Sequence, residues 1–226
     1  GRFVMKIENI KACVFDAYGT LFDVNSAAAK CKEKLGNRWE GFANAWRTTQ
    51  LEYTWLRSLM KKHKNFLEIT EDSLDHTMET FKIKKEMRNE LLDLYKKLSP
   101  YPEVKECMEG LKEKKIKIAI LSNGTPDLLT ELVKNNNIEN YFDDIMSIES
   151  VGIYKPDSKV YEMPTKKYNC KPENICFMSS NTWDVSGGGV FGYNAVWVNR
   201  FNKVFDKLSY KPKFVINNLK ELLNII

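Results

Sequence analysis

The chain has 226 residues, of which 43% are apolar and 29% charged, and it carries a net charge of +5. This composition excludes a globally disordered protein and suffices for one full hydrophobic core. Its apolar runs fall far short of the ~20 residues that span a bilayer, so we expect no membrane partner. The excess lysines are scattered, and their densest cluster, Lys112–Lys117, is typical of a solvated helix end, so we expect no nucleic-acid partner.

The cysteines and the amino-terminal sequence bear on the cellular compartment. Five cysteines stand at positions 13, 31, 107, 170 and 176, an odd number without a CxxC pair. This pattern favours buried, reduced thiols over a disulfide framework. We find no pattern typical of a signal peptide, so we expect a cytoplasmic protein. The two histidines lack metal-ligand spacing, so we expect no zinc site.

The first predicted elements are one strand and a long helical segment. "KACVFDAYG" predicts a buried strand that ends at Asp16. From residue 26 to residue 98 helical periodicity dominates and we expect no strand. The helix over Phe42–Met60 repeats apolar residues at three-to-five-residue steps, namely Phe42, Trp46, Leu51, Trp55 and Leu59. A second helix is predicted to begin after Thr70 as its N-cap, and a third to end at Ser99-Pro100.

After Pro100 the pattern alternates between helices and strands. Helices are predicted over 103–115, 125–137 and 158–170, and strands over 116–122, 143–149, 174–179, 195–199 and 213–217. Such alternation predicts a parallel sheet with right-handed crossovers. We therefore predict an α/β fold with a doubly wound, Rossmann-like parallel sheet. Its catalytic core would comprise 1–24 plus 101–226, and an all-helical cap subdomain, 25–100, would be inserted after the first strand.

Two helices contain residues that disfavour a helix. Pro164 lies inside a helical pattern and is expected to kink it or to mark a short first segment. "SGGGVFGY" (186–193) has three glycines where a helix is expected, which costs roughly 2–3 kcal/mol relative to alanine. We expect that helix to be frayed or to begin late, and we expect both features to affect catalytic efficiency more than the type of reaction.

Polar residues follow three of the predicted strands, in "FDAYGT", "LSNGT" and "MSSNTWD", and a fourth polar segment, "GIYKPDSKVY", precedes a helix. In doubly wound sheets, ligands bind beyond the carboxyl ends of the strands, near the switch point. We therefore expect all four segments to converge on one crevice, which the helical cap would cover.

These segments resemble the four motifs of the haloacid dehalogenase superfamily. "DAYGTLFDV", "LSNGTPDLL", "GIYKPDSKVYE" and "SSNTWDVSG" occur in the order that the superfamily shows. "WRTTQLEYTWLR" in the insertion resembles the helical subdomain of one branch, the L-2-haloacid dehalogenases (type II). The match covers nearly the whole chain, and the motifs together are highly specific to this branch.

The departures from the phosphatase motifs of this superfamily indicate the chemistry. The phosphatases place an acid two residues after the nucleophile, to protonate an alkoxide, and hold Mg²⁺ with acids of the fourth motif. Here Tyr18 replaces the first acid, and of the acidic set only Asp184 remains beside Ser179, Ser180 and Asn181. A halide leaves as an anion and needs no proton. The sequence therefore predicts dehalogenation without a metal or other cofactor.

The resemblance implies a nucleophile, a cation and an anion site. Asp16 would attack C2 of a 2-haloalkanoate and invert it, and water would then hydrolyse the ester at the aspartyl carbonyl. Lys155 would keep Asp16 charged. Arg47 on the cap would bind the departing halide, with Asn123 and Phe66 nearby. The catalytic set that this implies is Asp16, Thr20, Arg47, Lys155, Ser179, Asn181 and Asp184.

Other residues would hold the substrate and the water. Ser122 would bind the substrate carboxylate and Thr20 would hydrogen-bond the nucleophile. Asp184 or Lys155 would activate the water, a choice that the sequence leaves open. The substrate-binding set implied is Tyr18, Leu51, Phe66, Ser122, Asn123, Tyr161 and Trp183. Members of this branch are commonly homodimers through the helical subdomain, so a homodimer is implied as well.

Less specific interpretations stay open for single residues. Tyr18 and the other aromatic residues could simply pack in the core, Lys155 could be a surface lysine beside a proline turn, and Arg47 could form a surface ion pair. For the whole chain, the alternatives are a phosphatase-like hydrolase with an altered metal site and a catalytically weak protein that binds a small carboxylate.

Overall fold

The computed structural model describes residues 5–226, so residues 1–4 of the predicted core segment lie outside the described residues. The strands of the central sheet are Ala12–Phe15 (β1), Lys117–Ser122 (β2), Asp144–Ser147 (β3), Ile175–Ser179 (β4), Asn194–Val198 (β5) and Phe214–Ile216 (β6). The six strands have the order β3-β2-β1-β4-β5-β6 and every pair is parallel. The α/β fold class is confirmed.

Nine α-helices flank or cover the sheet in the described chain. They are Ser26–Lys30 (α1), Lys32–Leu35 (α2), Trp39–Met60 (α3), Phe66–Phe81 (α4), Arg88–Lys96 (α5), Val104–Glu113 (α6), Pro126–Asn135 (α7), Ser158–Tyr168 (α8) and Thr182–Phe191 (α9). The first six lie between β1 and β2 in the chain, and α1–α5 occupy the segment where the sequence predicts the cap. Within the part of the chain described, no helix is long and apolar enough to cross a membrane.

The order of the strands determines where a site can form. β1 lies at the centre, with β2 on one side and β4 on the other, and all four of its residues are buried. The chain leaves β1 first toward β2 and later reaches β4, so the strand order reverses at β1. The crevice beyond the carboxyl end of β1 is therefore the switch point at which ligands bind in such sheets.

The two links between the sheet and the cap helices run side by side. The amide N of Asp23 donates to the carbonyl O of Ser99 at 2.9 Å, and the amide N of Tyr101 donates to the carbonyl O of Leu21 at 2.9 Å. The chain therefore leaves the sheet after β1 and returns to it at neighbouring points, and α3 reaches back to the loop after β1 through the contact of Arg47 with Tyr18.

The long cap helix α3 presents a face different from the predicted one. Its buried residues are Phe42, Ala43, Trp46, Gln50 and Thr54. Phe42 and Trp46 are buried as predicted, but Leu51 and Trp55 are only half-buried, and Leu59 is 81% exposed. Steps of four residues from Phe42 lead through Trp46 to Gln50 and Thr54, so polar residues continue the buried stripe.

Helix α4 begins five residues before the predicted start. Asn65, in extended backbone, is the N-cap, and its side-chain oxygen accepts the amide N–H of Glu68 at 3.0 Å. The prediction of Thr70 as N-cap is wrong, because Thr70 lies in the second turn and donates its hydroxyl to the carbonyl O of Phe66 at 2.6 Å. A threonine can form either contact, and the sequence pattern does not distinguish them.

The two helices with unfavourable residues are both intact. Helix α8 runs through Pro164, which is buried, from Ser158 to Tyr168, so the proline does not divide it. Helix α9 begins at Thr182, directly after the fourth motif, and continues through the three glycines to Phe191. The prediction of a frayed or late helix is therefore wrong.

Candidate active site

Asp16 is the residue at the centre of the crevice, directly after β1. Its Oδ2 accepts three hydrogen bonds: from Thr20 Oγ1 at 3.1 Å, Ser179 Oγ at 2.8 Å and Asn181 Nδ2 at 2.6 Å. Its Oδ1 accepts one, from Lys155 Nζ at 3.2 Å. Donors of this kind stabilise the ionised carboxylate. Because three donors converge on Oδ2, Oδ1 is the oxygen with lone pairs left for chemistry.

Lys155 lies between two carboxylates. Its Nζ is 3.2 Å from Asp16 Oδ1 and 2.7 Å from Asp184 Oδ2, and its side chain is only 1% exposed. The interpretation as a surface lysine is therefore wrong. Burial opposes the charged form, but the carboxylates of Asp16 and Asp184 outweigh it and raise the pKa of Lys155 above its ordinary value. Lys155 thus supplies positive charge beside Asp16.

Asp184 is a second buried acid of the crevice. It lies in the first turn of α9 and accepts hydrogen bonds from Lys155 Nζ and, at 2.6 Å, from the hydroxyl of Tyr161. Burial raises the pKa of Asp184 to about 6, a rise that Lys155 limits. A carboxylate of this pKa is mostly ionised at neutral pH and can still accept a proton from water. Among residues 5–226, no group of three or more His, Cys, Asp or Glu side chains could hold a metal ion.

The glycines of α9 make room for residues around Asp184. A Cβ at Gly187 would lie 2.6 Å from the hydroxyl oxygen of Tyr161 and 2.8 Å from Cβ of Pro156. A Cβ at Gly188 would lie 2.9 Å from the ring of Phe177. Side chains at these positions would displace the aromatic layer that supports Asp184. The glycines therefore cost helix propensity but allow close packing.

Arg47 is the charged residue that the cap brings to the crevice. Its Nη2 donates to the carbonyl O of Tyr18 at 3.3 Å and lies 3.5 Å from Asn181 Oδ1. Its Nη1 donates to Gln50 Oε1 at 3.0 Å. These partners lie in the crevice and inside the cap, so the contacts of Arg47 differ from those of a surface ion pair.

Aromatic rings form an apolar layer beside the carboxylate. The Tyr18 ring lies 5.1 Å from the ring of Phe66 and stacks on that of Tyr95 at 5.7 Å. Tyr18 is buried, and its burial raises the pKa of its phenol well above the ordinary value. A phenol with so high a pKa is a poor proton donor. Tyr18 therefore does not replace the acid that phosphatases place at this position.

Four other predicted residues lie on the rim of this arrangement. Asn123 is buried and its Oδ1 accepts the backbone N–H of Lys155 at 3.2 Å. Ser122 is buried at the end of β2 and its Oγ accepts the N–H of Gly124 at 3.0 Å. Leu51 is half-buried on α3. Trp183 packs edge to face on Trp55, with ring centroids 5.2 Å apart, at the seam between core and cap.

A groove of about 910 Å³ runs along that seam. Its walls include Trp55 and Leu59 from the cap and Lys155, Trp183 and Val190 from the core. Asp16 does not line the groove, so the groove borders the candidate site at Lys155.

The sequence interpretation missed four residues that contact the site. Gln50 and Tyr95 lie behind Arg47, Thr70 bonds to Gln50, and Arg200 donates from its Nη2 to the carbonyl O of Thr20 at 2.8 Å. One signal was available, because Gln50 is an amide on the four-residue stripe of Phe42 and Trp46, and buried amides are hydrogen-bonded. The other three come from distant segments and carry no local signal.

Comparison with known proteins gives consistent matches. The family model for haloacid dehalogenase-like hydrolases matches residues 10–192. An (S)-2-haloacid dehalogenase of Pseudomonas fluorescens is 40% identical over 220 residues, covering 96% of this chain and 97% of that protein. Haloacetate dehalogenase H-2 of Moraxella sp. is 35% identical, covering 97% and 99%. The structure of L-2-haloacid dehalogenase from Xanthobacter autotrophicus with chloropropionic acid covalently bound is 32% identical, covers 95% and 97%, and gives a TM-score of 0.88.

Proposed function

The chain belongs to the haloacid dehalogenase-like hydrolase family, and we propose that it hydrolyses short (S)-2-haloalkanoic acids to (R)-2-hydroxyalkanoic acids and halide. The observation that carries this proposal is the asymmetry of Asp16. One carboxylate oxygen accepts three hydrogen bonds, and the other is held only by Lys155 among the described residues. Such a carboxylate is fixed in orientation and still has an oxygen available for attack.

In the first step, Oδ1 of Asp16 attacks C2 of the substrate from the side opposite the halogen. The new C–O bond forms as the carbon–halogen bond breaks, and the halide leaves with the bonding electrons. The product is an ester of Asp16 with inverted configuration at C2. Thr20, Ser179 and Asn181 hold the other oxygen, which limits rotation of the carboxylate.

In the second step, water attacks the carbonyl carbon of that ester. Asp184 accepts one proton from the water, the bond between the aspartyl carbonyl and the substrate oxygen breaks, and that proton passes to the oxygen of the departing 2-hydroxy acid. Asp16 is left as a carboxylic acid, and release of the second proton of the water to solvent restores its carboxylate. We assign the base to Asp184 rather than Lys155, because Lys155 has a raised pKa and stays protonated. Tyr161 orients Asp184 through its 2.6 Å hydrogen bond.

The negative charge that would repel an anionic substrate is cancelled only when the cap is in place. Two carboxylates and one ammonium leave the core side with one net negative charge, and Arg47 offsets it from the cap side. The guanidinium of Arg47 is permanently charged and weakly hydrated, so it suits a departing halide. A halide needs no proton, which fits the buried, weakly acidic Tyr18 two residues after the nucleophile.

Several further assignments belong to this proposal. Ser122 binds the substrate carboxylate, and Asn123 lies beside the departing halide. Leu51, Phe66 and Trp183 exclude water from the site. The cap is residues 25–100 and the catalytic core is 1–24 plus 101–226. This division is supported by α1–α5, which all lie within 25–100, whereas α6 begins at Val104 and packs against β2.

We propose that the protein forms a homodimer and that it acts in the cytoplasm. Three large apolar side chains near the end of α3, Leu56, Leu59 and Met60, are exposed by 50%, 81% and 60%. An apolar cluster of this size on a cap helix suits contact with a second copy of the chain. All five cysteines are free thiols in the structure, which is compatible with a reducing compartment.

The test is incubation with racemic 2-chloropropanoate in EDTA, with measurement of chloride and of the chirality of the remaining acid. We expect chloride release up to half conversion, with the R acid left over. Chloroacetate serves as an achiral companion substrate. Absence of chloride from the folded protein, with activity on phosphate esters in Mg²⁺, would overturn the proposal in favour of a phosphatase.

A further inference from the structure

We propose that Gln50 is a positioning residue that holds the Arg47 guanidinium in place before the substrate binds, so that the departing halide meets a fixed donor. This inference rests on the proposed dehalogenase function. It concerns the cap side of the crevice, where Gln50, Thr70 and Tyr95 form a buried polar network behind Arg47.

Gln50 is completely enclosed by the cap. Its side chain belongs to the buried stripe of α3 and only 1% of the residue is exposed. Its Oε1 accepts from Arg47 Nη1 at 3.0 Å, and its Nε2 donates to Thr70 Oγ1 at 2.8 Å and to Tyr95 Oη at 2.9 Å. A buried amide without hydrogen-bond partners lowers the stability of the fold. The network therefore holds its members in one arrangement.

The orientation of the amide follows from the hydroxyl of Thr70. A threonine hydroxyl has one proton, and Thr70 donates it to the carbonyl O of Phe66 at 2.6 Å. Thr70 Oγ1 can therefore only accept from Gln50, so the amide nitrogen must face Thr70. The amide oxygen then faces Arg47, which has donors only. The hydroxyl of Thr70 thus fixes which end of Gln50 meets the guanidinium.

Tyr95 joins this network to the apolar layer of the crevice. Its hydroxyl contacts the amide of Gln50, and its ring stacks on Tyr18 with an interplanar angle of 21°. Tyr18 in turn offers its carbonyl O to Arg47 Nη2 at 3.3 Å. The guanidinium is therefore held on two sides, by an amide oxygen of the cap and by a backbone oxygen of the core.

The same contacts connect the cap interior with the nucleophile. Arg47 Nη2 lies 3.5 Å from Asn181 Oδ1, and Asn181 Nδ2 donates to Asp16 Oδ2 at 2.6 Å. An arginine side chain has many rotamers, and fixing it before the reaction removes that ordering cost from the reaction step. Gln50 therefore acts on halide departure through Arg47 and does not touch the reacting atoms.

Helix α4 offers a matched pair of substitutions. Thr70 and Thr77 are both 1% exposed, and each donates its hydroxyl to the carbonyl O four residues earlier, at 2.6 and 2.7 Å. Only Thr70 also accepts from Gln50. Thr70→Val and Thr77→Val therefore remove the same hydroxyl from the same helix, but only the first releases Gln50. Gln50→Leu removes the amide itself.

The experiment measures halide release in a single turnover, with enzyme in excess, from (S)-2-chloropropanoate and (S)-2-bromopropanoate. Chloride is the poorer leaving group, so its departure depends more on a donor that stabilises the developing negative charge. We expect Gln50→Leu to slow chloride release on the order of tenfold, since misplacing a group by about 1 Å can cost up to 10²-fold. Bromide release should slow less, so the bromide-to-chloride rate ratio should rise.

Thr70→Val should raise the same ratio by a smaller factor, and Thr77→Val should leave it at the wild-type value. If Gln50→Leu does not fold, the pair of threonine variants decides the question. The inference would be overturned if the bromide-to-chloride rate ratio stayed at the wild-type value in folded Thr70→Val and Gln50→Leu. It would also be overturned if Thr77→Val raised this ratio as much as Thr70→Val does. A wild-type protein that releases no halide would instead overturn the proposed function, and with it this inference.

Discussion

The core side and the cap side of the crevice are built in different ways. On the core side, Asp16 and Ser179 lie directly at or after the ends of adjacent parallel strands, and the register of β1 with β4 places them together. On the cap side, Arg47 and Gln50 lie within one helix, and their position depends on how α3 packs against α4. The register of the sheet thus positions the residues of the core side, whereas packing between two helices positions those of the cap side.

The two sides also have different roles in the proposed reaction. In the proposed mechanism the core side holds the nucleophile, its counter-ion and the base, which make and later break the ester. The cap side would supply the cation for the halide, which is needed in the first step only. Changes to the core should therefore affect both steps, whereas changes to the cap should affect halide departure alone. Four predictions test this division, from the largest expected effect to the smallest.

Asp16→Asn removes the proposed nucleophile and should abolish the chemistry of the core side. We expect halide release to fall by at least about 10⁴-fold, as when the nucleophile of other enzymes is removed. A chloride assay measures the loss, and circular dichroism with thermal unfolding checks that the fold is retained. Halide release near the wild-type rate would show that another group attacks C2.

Lys155→Met leaves two buried carboxylates without their shared cation. We expect chloride release to fall by about 10²–10³-fold, the usual cost of one lost electrostatic contact to the reacting groups. Because the ammonium is 1% exposed, we also expect a loss of about 3–5 kcal/mol in the free energy of unfolding. Urea denaturation measures the second effect. A stability equal to that of the wild type would contradict the buried ion-pair arrangement.

Arg47→Lys tests the cap side alone. Lysine keeps the charge but cannot reach Gln50, Tyr18 and Asn181 with separate nitrogens, as the guanidinium does. We expect chloride release to slow by up to about 10²-fold, while hydrolysis of the ester, once formed, keeps its wild-type rate. Rapid quenching and intact-protein mass spectrometry follow both steps. Equal slowing of the two steps would argue against the division between core and cap.

The pH dependence of ester hydrolysis reports on Asp184. Its pKa is raised to about 6, and in the proposed mechanism only the ionised form accepts the proton from water. The hydrolysis rate should therefore fall roughly tenfold per pH unit below that value. A raised carboxyl pKa means that the folded state binds this proton more tightly. Asp184 therefore contributes more stability as the pH falls from about 6 toward 3.8, and activity is lost without unfolding through this group. A pH-independent hydrolysis rate would exclude Asp184 as the base.

Most of the core side could be predicted from the sequence. Short apolar runs that end in polar residues indicate strands of a parallel sheet, and the geometry of such sheets brings those ends together. This is why Asp16, Lys155 and Asp184, which are far apart in the chain, could be placed in one crevice. The hydrogen bonds of Thr20, Ser179 and Asn181 to Asp16 then follow the implied roles, although their catalytic function stays a prediction.

The cap side was less predictable, because its geometry depends on packing between helices. The sequence predicts an apolar stripe that reaches Leu59, yet the buried stripe of α3 passes through Gln50 and Thr54. Only the packed structure shows that Thr70 and Tyr95 provide partners for a buried amide. The glycines of α9 show the same limit, since helix propensity disfavours them and only the close packing of Gly187 on Tyr161 and of Gly188 on Phe177 explains them.

The most direct test of the central claim is the fate of oxygen in one turnover. Enzyme in excess is allowed to react with (S)-2-chloropropanoate in heavy-oxygen water, and the peptide that contains Asp16 and the product are both analysed by mass spectrometry. If Asp16 forms the ester and water attacks its carbonyl carbon, the heavy atom appears in the Asp16 carboxylate and the product is unlabelled. A labelled product with an unlabelled Asp16 would show that water attacks C2 directly, and would contradict the mechanism proposed for this crevice.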